Sequence, residues 1–295
     1  FLGIANAYCG NLGSPLESKI YFNRSEKSNF LFFKPYNAYY HSVADYLFFN
    51  TKTPYSNLSY YSAGPSYGKE ERFKTLFSVN VNPKLNIGFL VDYMYGRGIY
   101  LTQSTNHTIA GLFGSYTGKH YSLSAIASLN NFKNYENGGI KDDRYITNPK
   151  EMTGETGTFK PQNIEVNLAP NTQSQLKNRL FYLNHKYSLG FNKTNISDSS
   201  KTDFIPVTTF THSLKYESDA KRYYEKSLTD FYENNYLDTL ATNDTAYYQS
   251  FKNTFGISLN EEFNRFAHFG LTKTTMAEIA KDLSFSKALL YYYFP

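Results

Sequence analysis

The sequence contains no tryptophan, a single cysteine and no long apolar run. A lone cysteine, Cys9, cannot form an intramolecular disulfide, so a cystine framework is excluded. A membrane-spanning helix needs about 18 or more consecutive apolar residues, and no stretch reaches that length. A helical membrane protein is therefore excluded. A spanning β-strand needs only about 9 to 11 residues and tolerates a polar residue at every second position.

Signs of nucleic-acid binding and of catalysis are also sparse. The net charge is only +5 over 295 residues, and the basic residues are scattered instead of forming one stripe. No metal-ligand spacing joins the histidines, and no Gly-Lys-Ser/Thr follows the glycine pairs. The histidines are His41, His107, His120, His185, His212 and His268. The sequence therefore predicts a protein that is not an enzyme and has no cofactor or metal.

Two chemical alternatives stay open at this stage. His185 or His212 would serve a hydrolase if a serine and a carboxylate converged on one of them, although nothing marks a nucleophile. Glu136, Asp142 and Asp143 would suit Ca²⁺, but they lack a defined coordination spacing, which favours a solvated acidic turn.

Aromatic residues and strict alternation are what the chain has in quantity. Tyrosine and phenylalanine number 29 and 25, and aromatic residues make up 18% of the sequence. From Phe73 to Val81 every second residue is apolar or β-branched, and the pattern repeats from Leu85 to Tyr95 after Asn82-Pro83-Lys84. Since successive side chains of a strand face opposite sides, this pattern predicts a hairpin with one apolar and one polar face.

The same alternation predicts an all-β fold of roughly ten to twelve antiparallel strands, a number compatible with a transmembrane barrel. The strand segments are 18–22, 30–33, 46–50, 56–62, 72–95, 108–117, 121–130, 179–189, 208–216, 251–259 and 263–271. Residues 131–175 and 218–244 are polar and poorly periodic, which is typical of external loops.

Several blocks resemble the putative porin family of Bacteroidetes outer membranes. They are NLGSPLESKIYFNR (11–24), NTKTPYSNLSYYS (50–62), VNVNPKLNIGF (79–89), YGRGIY (95–100), ENGGIKDDRYITNP (136–149) and GISLNEEFNRFAHFGLT (256–272). The resemblance implies an antiparallel transmembrane β-barrel in the cell outer membrane, inserted by the barrel-assembly machinery and surrounded by lipid. It implies passive diffusion of small hydrophilic solutes. The family's barrel continues beyond residue 272, so a truncated barrel is expected.

In such a barrel the polar residues at every second position of each strand, which we call the polar parity, line the lumen. A surplus of lysine among them predicts weak selectivity that favours anions. The predicted lumen-lining residues are Lys74, Asn80, Asn86, Asp92, Ser124, Asn184, Lys186 and Lys215.

After residue 272 the period changes from two to a helical one, which divides the chain into a barrel (1–272) and a tail (273–295). The segment LTKTTMAEIAKDLSFSKALLYYYFP (271–295) resembles the helix-turn-helix of TetR-type transcription regulators. The resemblance implies capping by Thr275 and Ser286, and DNA contacts by Lys287 and Tyr291. A junction between two genes, formed by rearrangement or assembly error, would explain both resemblances.

Two functions compete with a diffusion channel. The first is a fragment of a TetR-type regulator that binds DNA through the tail, although the family's dimerisation domain is missing. The second is a structural or adhesin barrel whose lumen is plugged and does not conduct.

Overall fold

The computed structural model of the chain describes residues 5–24, 29–153, 160–194, 202–227, 229, 231 and 241–259. Ten strands dominate these residues, together with two α-helices of four and five residues and four short 3₁₀ turns. No helix among them combines the length and apolar character that crossing a bilayer requires.

The strands form two antiparallel sheets. The small sheet pairs β1 (Asn6–Tyr8) with β2 (Leu16–Ser18). The large sheet has eight strands in the order β10-β9-β8-β7-β6-β5-β4-β3, so each strand lies beside its neighbour in sequence. These strands are β3 (Tyr55–Ala63), β4 (Glu70–Asn82), β5 (Leu85–Arg97), β6 (Ser104–Thr117), β7 (Tyr121–Tyr135), β8 (Gln173–Thr194), β9 (Thr202–Glu225) and β10 (Thr242–Leu259).

Contacts divide the chain into two compact units. The first comprises Phe1–Tyr116, Ser124–Leu183 and Leu214–Lys252, and the second comprises Thr117–Leu123, Asn184–Ser213 and Asn253–Pro295. The first unit holds β1 to β5 and most of β6 and β7, whereas β8, β9 and β10 contribute residues to both.

The predicted hairpin between 72 and 95 is confirmed as β4 and β5. Asn82 closes its turn, because the side-chain Oδ1 accepts hydrogen bonds from the backbone N–H groups of Lys84 and Leu85 at 2.8 and 3.0 Å. The register pairs Lys74 with Asp92 and Asn80 with Asn86. Residues that pair in an antiparallel ladder point to the same face, so these four polar side chains share one side of the sheet.

The long loop predicted at 131–175 is shorter, because β7 continues to Tyr135 and β8 begins at Gln173. Its described residues, 136–153 and 160–172, contain α1 (Arg144–Thr147) and α2 (Pro149–Thr153). Backbone bonds join its two arms, including Lys141 N to Glu165 O at 2.9 Å and an antiparallel bridge between Ile140 and Val166.

Several predicted elements and boundaries are wrong. Residues 30–33 and 46–50 are not strands: the first segment enters a 3₁₀ helix (Leu31–Tyr36), and both lie in a segment that packs its rings against the sheet. Likewise, only Ser18 of 18–22 belongs to a strand. Residues 218–225 were expected in a loop but continue β9, where Glu217 and Asp219 are buried partners of β8.

The two faces of the large sheet differ in the first unit as the alternation predicts. One face exposes large apolar side chains: Ile87, Phe89, Leu112, Leu129, Phe181, Tyr216 and Tyr247. The opposite face is buried and mixes apolar residues, such as Met94 and Ile126, with many polar ones. We call these the outer face and the inner face.

We expect Gly88→Ala to lower the free energy of unfolding by about 1 to 3 kcal/mol, because overpacking forces neighbours to move. A Cβ at Gly88 would lie 2.6 Å from Cε2 of Phe113 and 2.6 Å from the carbonyl oxygen of Phe77. Gly114→Ala is the matched control, since its nearest atom is the carbonyl oxygen of Asn86 at 3.1 Å. Denaturant titration in detergent measures both, and equal stabilities would contradict the prediction.

Candidate functional site

The inner face collects the sequence-predicted polar residues of the first unit. The register places Lys74, Asn80, Asn86 and Asp92 together on this face. By strand alternation Ser124 and Lys215 have the inner parity of β7 and β9. Asn86 is 3% exposed and Asp92 is fully buried, so these two are covered. Whether the eight residues line a water-filled lumen stays a prediction.

Asp92 is the centre of a buried charge cluster. Arg72 grips its carboxylate with two donors, Nε to Oδ1 at 3.0 Å and Nη2 to Oδ2 at 2.7 Å. Nε2 of His41 lies 3.7 Å from Oδ2 of the same carboxylate. Lys74 pairs with Asp92 across the ladder but forms no ion pair among the described residues. Sequence reasoning missed Arg72, although it has the same parity as Lys74.

A stretch of chain before β3 lies along the inner face; we call residues 11–14 and 29–51 the inner segment. At one end of β5, Asn11 Nδ2 donates to the carbonyl oxygen of Gly96 at 3.0 Å. At the other end, Asn80 Nδ2 donates to Oδ1 of Asn50 at 3.0 Å, and Asn80 pairs with Asn86 of β5. The ten residues between Asn86 and Gly96 rise by about 33 Å. The inner segment therefore follows β5 for nearly its whole length.

Aromatic rings hold the inner segment to the sheet. Phe33 and Tyr36 pack on Phe132 of β7, with ring centroids 5.9 and 5.7 Å apart. Tyr36 and Tyr39 meet the ring of His107 edge-on. All five side chains are buried, so this contact is the centre of the hydrophobic core in the first unit.

The side-chain amide of Asn130 on β7 bonds both backbone groups, the N–H and the C=O, of one residue in the inner segment. Its Oδ1 accepts from His41 N at 3.2 Å, and its Nδ2 donates to His41 O at 3.1 Å. Directly after it, Ser42 and Asp45 form a capping box that fixes a 3₁₀ turn (Val43–Asp45). The Asn130 amide thereby replaces a strand partner that the inner segment lacks at this point.

The same amide begins a buried polar chain across three strands. Asn130 Nδ2 donates to Oδ1 of Asn178 on β8 at 3.1 Å. Asn178 Nδ2 in turn donates to Oε1 of Glu217 at 3.2 Å and to Oδ1 of Asp219 at 2.6 Å, both on β9. Tyr40 of the inner segment also donates to Oε1 of Glu217, at 2.9 Å. Burial, followed by Glu217, raises the pKa of Tyr40 well above its usual range, so its phenol remains a donor.

Between the inner segment and the sheet a cavity of about 390 Å³ remains. Its lining from the inner segment includes Tyr40, His41 and Tyr46, and its lining from the sheet includes Arg72 and Lys74. The cavity therefore places one free ammonium group, one paired guanidinium and aromatic surface around space large enough for a small solute.

Two predicted residues, Asn184 and Lys186, lie in the second unit. Asn184 Oδ1 accepts from Ser213 at 3.2 Å, whereas Lys186 is exposed. On the other parity, His185 and His212 are joined by a 2.8 Å hydrogen bond, and His212 contacts Asn253 Oδ1 at 3.1 Å. Within the described ranges neither a serine nor a carboxylate forms a hydrogen bond with this pair, so the hydrolase alternative gains no support.

The acidic loop residues have their own partners. The carboxylate of Asp142 accepts hydrogen bonds from Nε and Nη2 of Arg144. These bonds hold the pKa of Asp142 below its ordinary value. Among the described residues no group of three or more metal-ligating side chains is arranged to hold an ion. The DNA-binding residues implied by the TetR resemblance, the caps Thr275 and Ser286 and the DNA contacts Lys287 and Tyr291, lie outside the described residues, as does the strand expected at 263–271.

A family model described as putative porin matches residues 2–292 of the chain. The match includes most of the tail as well as the strands. No curated protein and no solved structure matches the chain.

We expect acid to destabilise the protein through His41. Burial lowers the pKa of His41 below its ordinary value of 6.5, and Asp92 opposes this shift only in part. Below about pH 6.5 the unfolded chain binds a proton that the folded protein does not, so stability is unaffected above that pH and falls below it. The free energy of unfolding of the parent should therefore fall between about pH 7.5 and pH 5. That of His41→Gln should fall less, and the two losses should differ by at most about 2 kcal/mol.

Denaturant midpoints at several pH values measure this difference. His120→Gln removes an exposed histidine and is the matched control. If His120→Gln reduces the loss of stability at acid pH as much as His41→Gln does, that loss does not come from His41.

Proposed function

Since the chain belongs to the putative porin family, we propose that it spans the outer membrane as an antiparallel β-barrel and conducts small hydrophilic solutes by passive diffusion. The sequence blocks that resemble the Bacteroidetes members support this assignment. The proposal requires neither a catalytic residue nor a cofactor. Its partners are outer-membrane lipid, the diffusing solutes and the barrel-assembly machinery.

The opposite chemistry of the two faces carries the proposal. Monomeric soluble proteins rarely expose a contiguous apolar patch such as that of Phe89, Leu112 and Phe181, and such a patch is typical of a surface that meets a membrane or another protein. The strands of a membrane barrel place such side chains in lipid and polar ones in the interior. The inner face, with Asn86, Asp92 and Asn130, has the polar character that a solute path needs.

Strand length also supports a bilayer location. A spanning strand needs about 9 to 11 residues. Strands β4 to β7 have 13 to 15 residues, and β8 and β9 have 22 and 24. Each strand is therefore long enough to cross the hydrocarbon layer and extend beyond it.

One observation favours the second candidate, a barrel that does not conduct. The inner segment covers much of the inner face in the first unit and contacts β5 near both ends. Conductance distinguishes the two candidates. The TetR alternative rests on residues 271–295, and the described residues neither favour nor oppose it.

Phe89→Lys should lower the free energy of unfolding in lipid by about 2 to 4 kcal/mol, because it places a charge on the face that meets the bilayer. Phe89 is 40% exposed and stacks on Phe77 across the ladder. Phe89→Leu keeps an apolar side chain and is the control. A lysine variant as stable as the leucine variant in lipid vesicles would argue against a bilayer at this face.

Lys74→Glu should move the reversal potential of the channel towards cations. Lys74 lines the cavity on the inner face, where a fixed charge acts on passing ions. Planar-bilayer recordings of the refolded protein in a salt gradient test this, and discrete conductance steps of the parent test the channel itself.

Lys84→Glu makes the same charge change at the exposed β4–β5 turn and is the control. Equal shifts for both variants would show that Lys74 does not face the ion path. An inserted parent without any conductance would favour the barrel that does not conduct.

A further inference from the structure

We propose that the inner segment is a movable plug, seated over the inner face by Tyr46 and Asn130, and that solutes pass only when it leaves this seat. The inference rests on the proposed channel function. It assigns a gating role to residues 29–51 of the inner segment, within which the sequence predicted strands at 30–33 and 46–50.

The inner segment is attached mainly by side chains instead of a strand ladder. Residues 37–54 contain no strand, and their 3₁₀ turn bonds within itself. Residues 29–51 are attached to the sheet by aromatic contacts and by hydrogen bonds to the side chains of Asn80, Ser128, Asn130, Asn134 and Glu217. Such contacts break without disturbing the ladders between β4, β5 and β6, so the plug and the wall are separable.

Part of the wall is polar and tolerates water after the plug leaves. The residues beneath it include Ser128, Asn130, Asn178 and Glu217, which are all polar. In the seated state they bond to the plug or to one another. When exposed, their polar groups exchange these bonds for bonds to water, which limits the cost of opening. Beside these polar residues the plug also packs on the apolar rings of Phe113 and Phe132, so opening exposes apolar surface as well.

The seat contains a site shaped for one ring. Tyr46 lies over Gly111 of β6, where an added Cβ would overlap the phenol, and its hydroxyl bonds to Oγ of Ser128 at 2.6 Å. Glycine at this inner position leaves the space that the ring occupies. The fit identifies Gly111 as the position where a single methyl group would push the plug away from the wall.

Packing under the plug is incomplete. A cavity of about 390 Å³ lies beside His41 and Tyr46. The atoms around this cavity lack packing contacts on one side, which lowers the cost of moving the plug.

The test uses the full chain with Gly111→Ala, and Gly114→Ala as the matched control on the outer parity of the same strand. Two readouts are taken. The first is the open fraction in planar bilayers. The second is the rate at which a charged maleimide labels Ser128→Cys, with Cys9→Ser removing the natural thiol. Ser128 is 7% exposed beneath the plug.

We expect Gly111→Ala to raise both the open fraction and the labelling rate by about tenfold or more, and Gly114→Ala to change neither. Tyr46→Ala removes the ring without altering the wall and should act in the same direction. Gly111→Ala should add little in the Tyr46→Ala background, because the methyl group then has no ring to displace.

The outcomes separate the gate from the channel. Labelling that rises in Gly111→Ala without any conductance would support the movable plug and overturn the channel. Conductance and labelling that are equal in the parent, Gly111→Ala and Tyr46→Ala would support the channel and overturn the plug. A full effect of Gly111→Ala in the Tyr46→Ala background would overturn the role assigned to the Tyr46 seat.

Discussion

Successive residues of a β-strand face opposite sides, and the two chemistries of this protein depend on that constraint. On β5 the odd residues Ile87 and Phe89 are exposed and apolar, whereas the even residues Asn86 and Asp92 are buried and polar. A shift of one residue in the register would exchange the two sets. The two hydrogen bonds of the Asn82 side chain in the turn fix the β4–β5 register. These local bonds therefore determine which side chains lie on each face of the sheet.

A buried face that is polar must satisfy its hydrogen bonds within the protein. The inner face does so through chains of amides and carboxylates that run from strand to strand, as from Asn130 through Asn178 to Glu217. Arg72 and His41 surround the fully buried carboxylate of Asp92. The inner segment completes these chains with Tyr40 and with the backbone of His41. The seated inner segment therefore supplies hydrogen-bond partners to the polar groups of the inner face. If it leaves, water must take over these hydrogen bonds.

Much of the strand arrangement was predictable because it repeats a local signal. The β4–β5 hairpin, the β6–β7 pair and the cores of β8, β9 and β10 all show period two in the sequence. The polar parity of β4 and β5 was predicted correctly for Lys74, Asn80, Asn86 and Asp92, which share one face. Arg72 has the same signal and was overlooked. The strand ends were less predictable, since β9 continues to Glu225 through residues that are polar and read as a loop.

The inner segment was not predictable from its residues. Phe30, Phe33 and Tyr46 are the kind of residues that strands contain, and local propensity favoured strands there. Their actual environment is the buried face of a sheet formed by later residues, which no local pattern describes. The network around Asn130 has the same origin, because the residues that bond to one another in it are separated by 39 to 177 positions along the chain.

By itself the sequence determined the class of the protein: antiparallel strands with one apolar and one polar face, because alternation is encoded residue by residue. Only the tertiary structure decided what covers the polar face. That choice depends on the complementary shape of Tyr46 and Gly111 and on hydrogen bonds between distant segments, and both exist only after the strands have assembled.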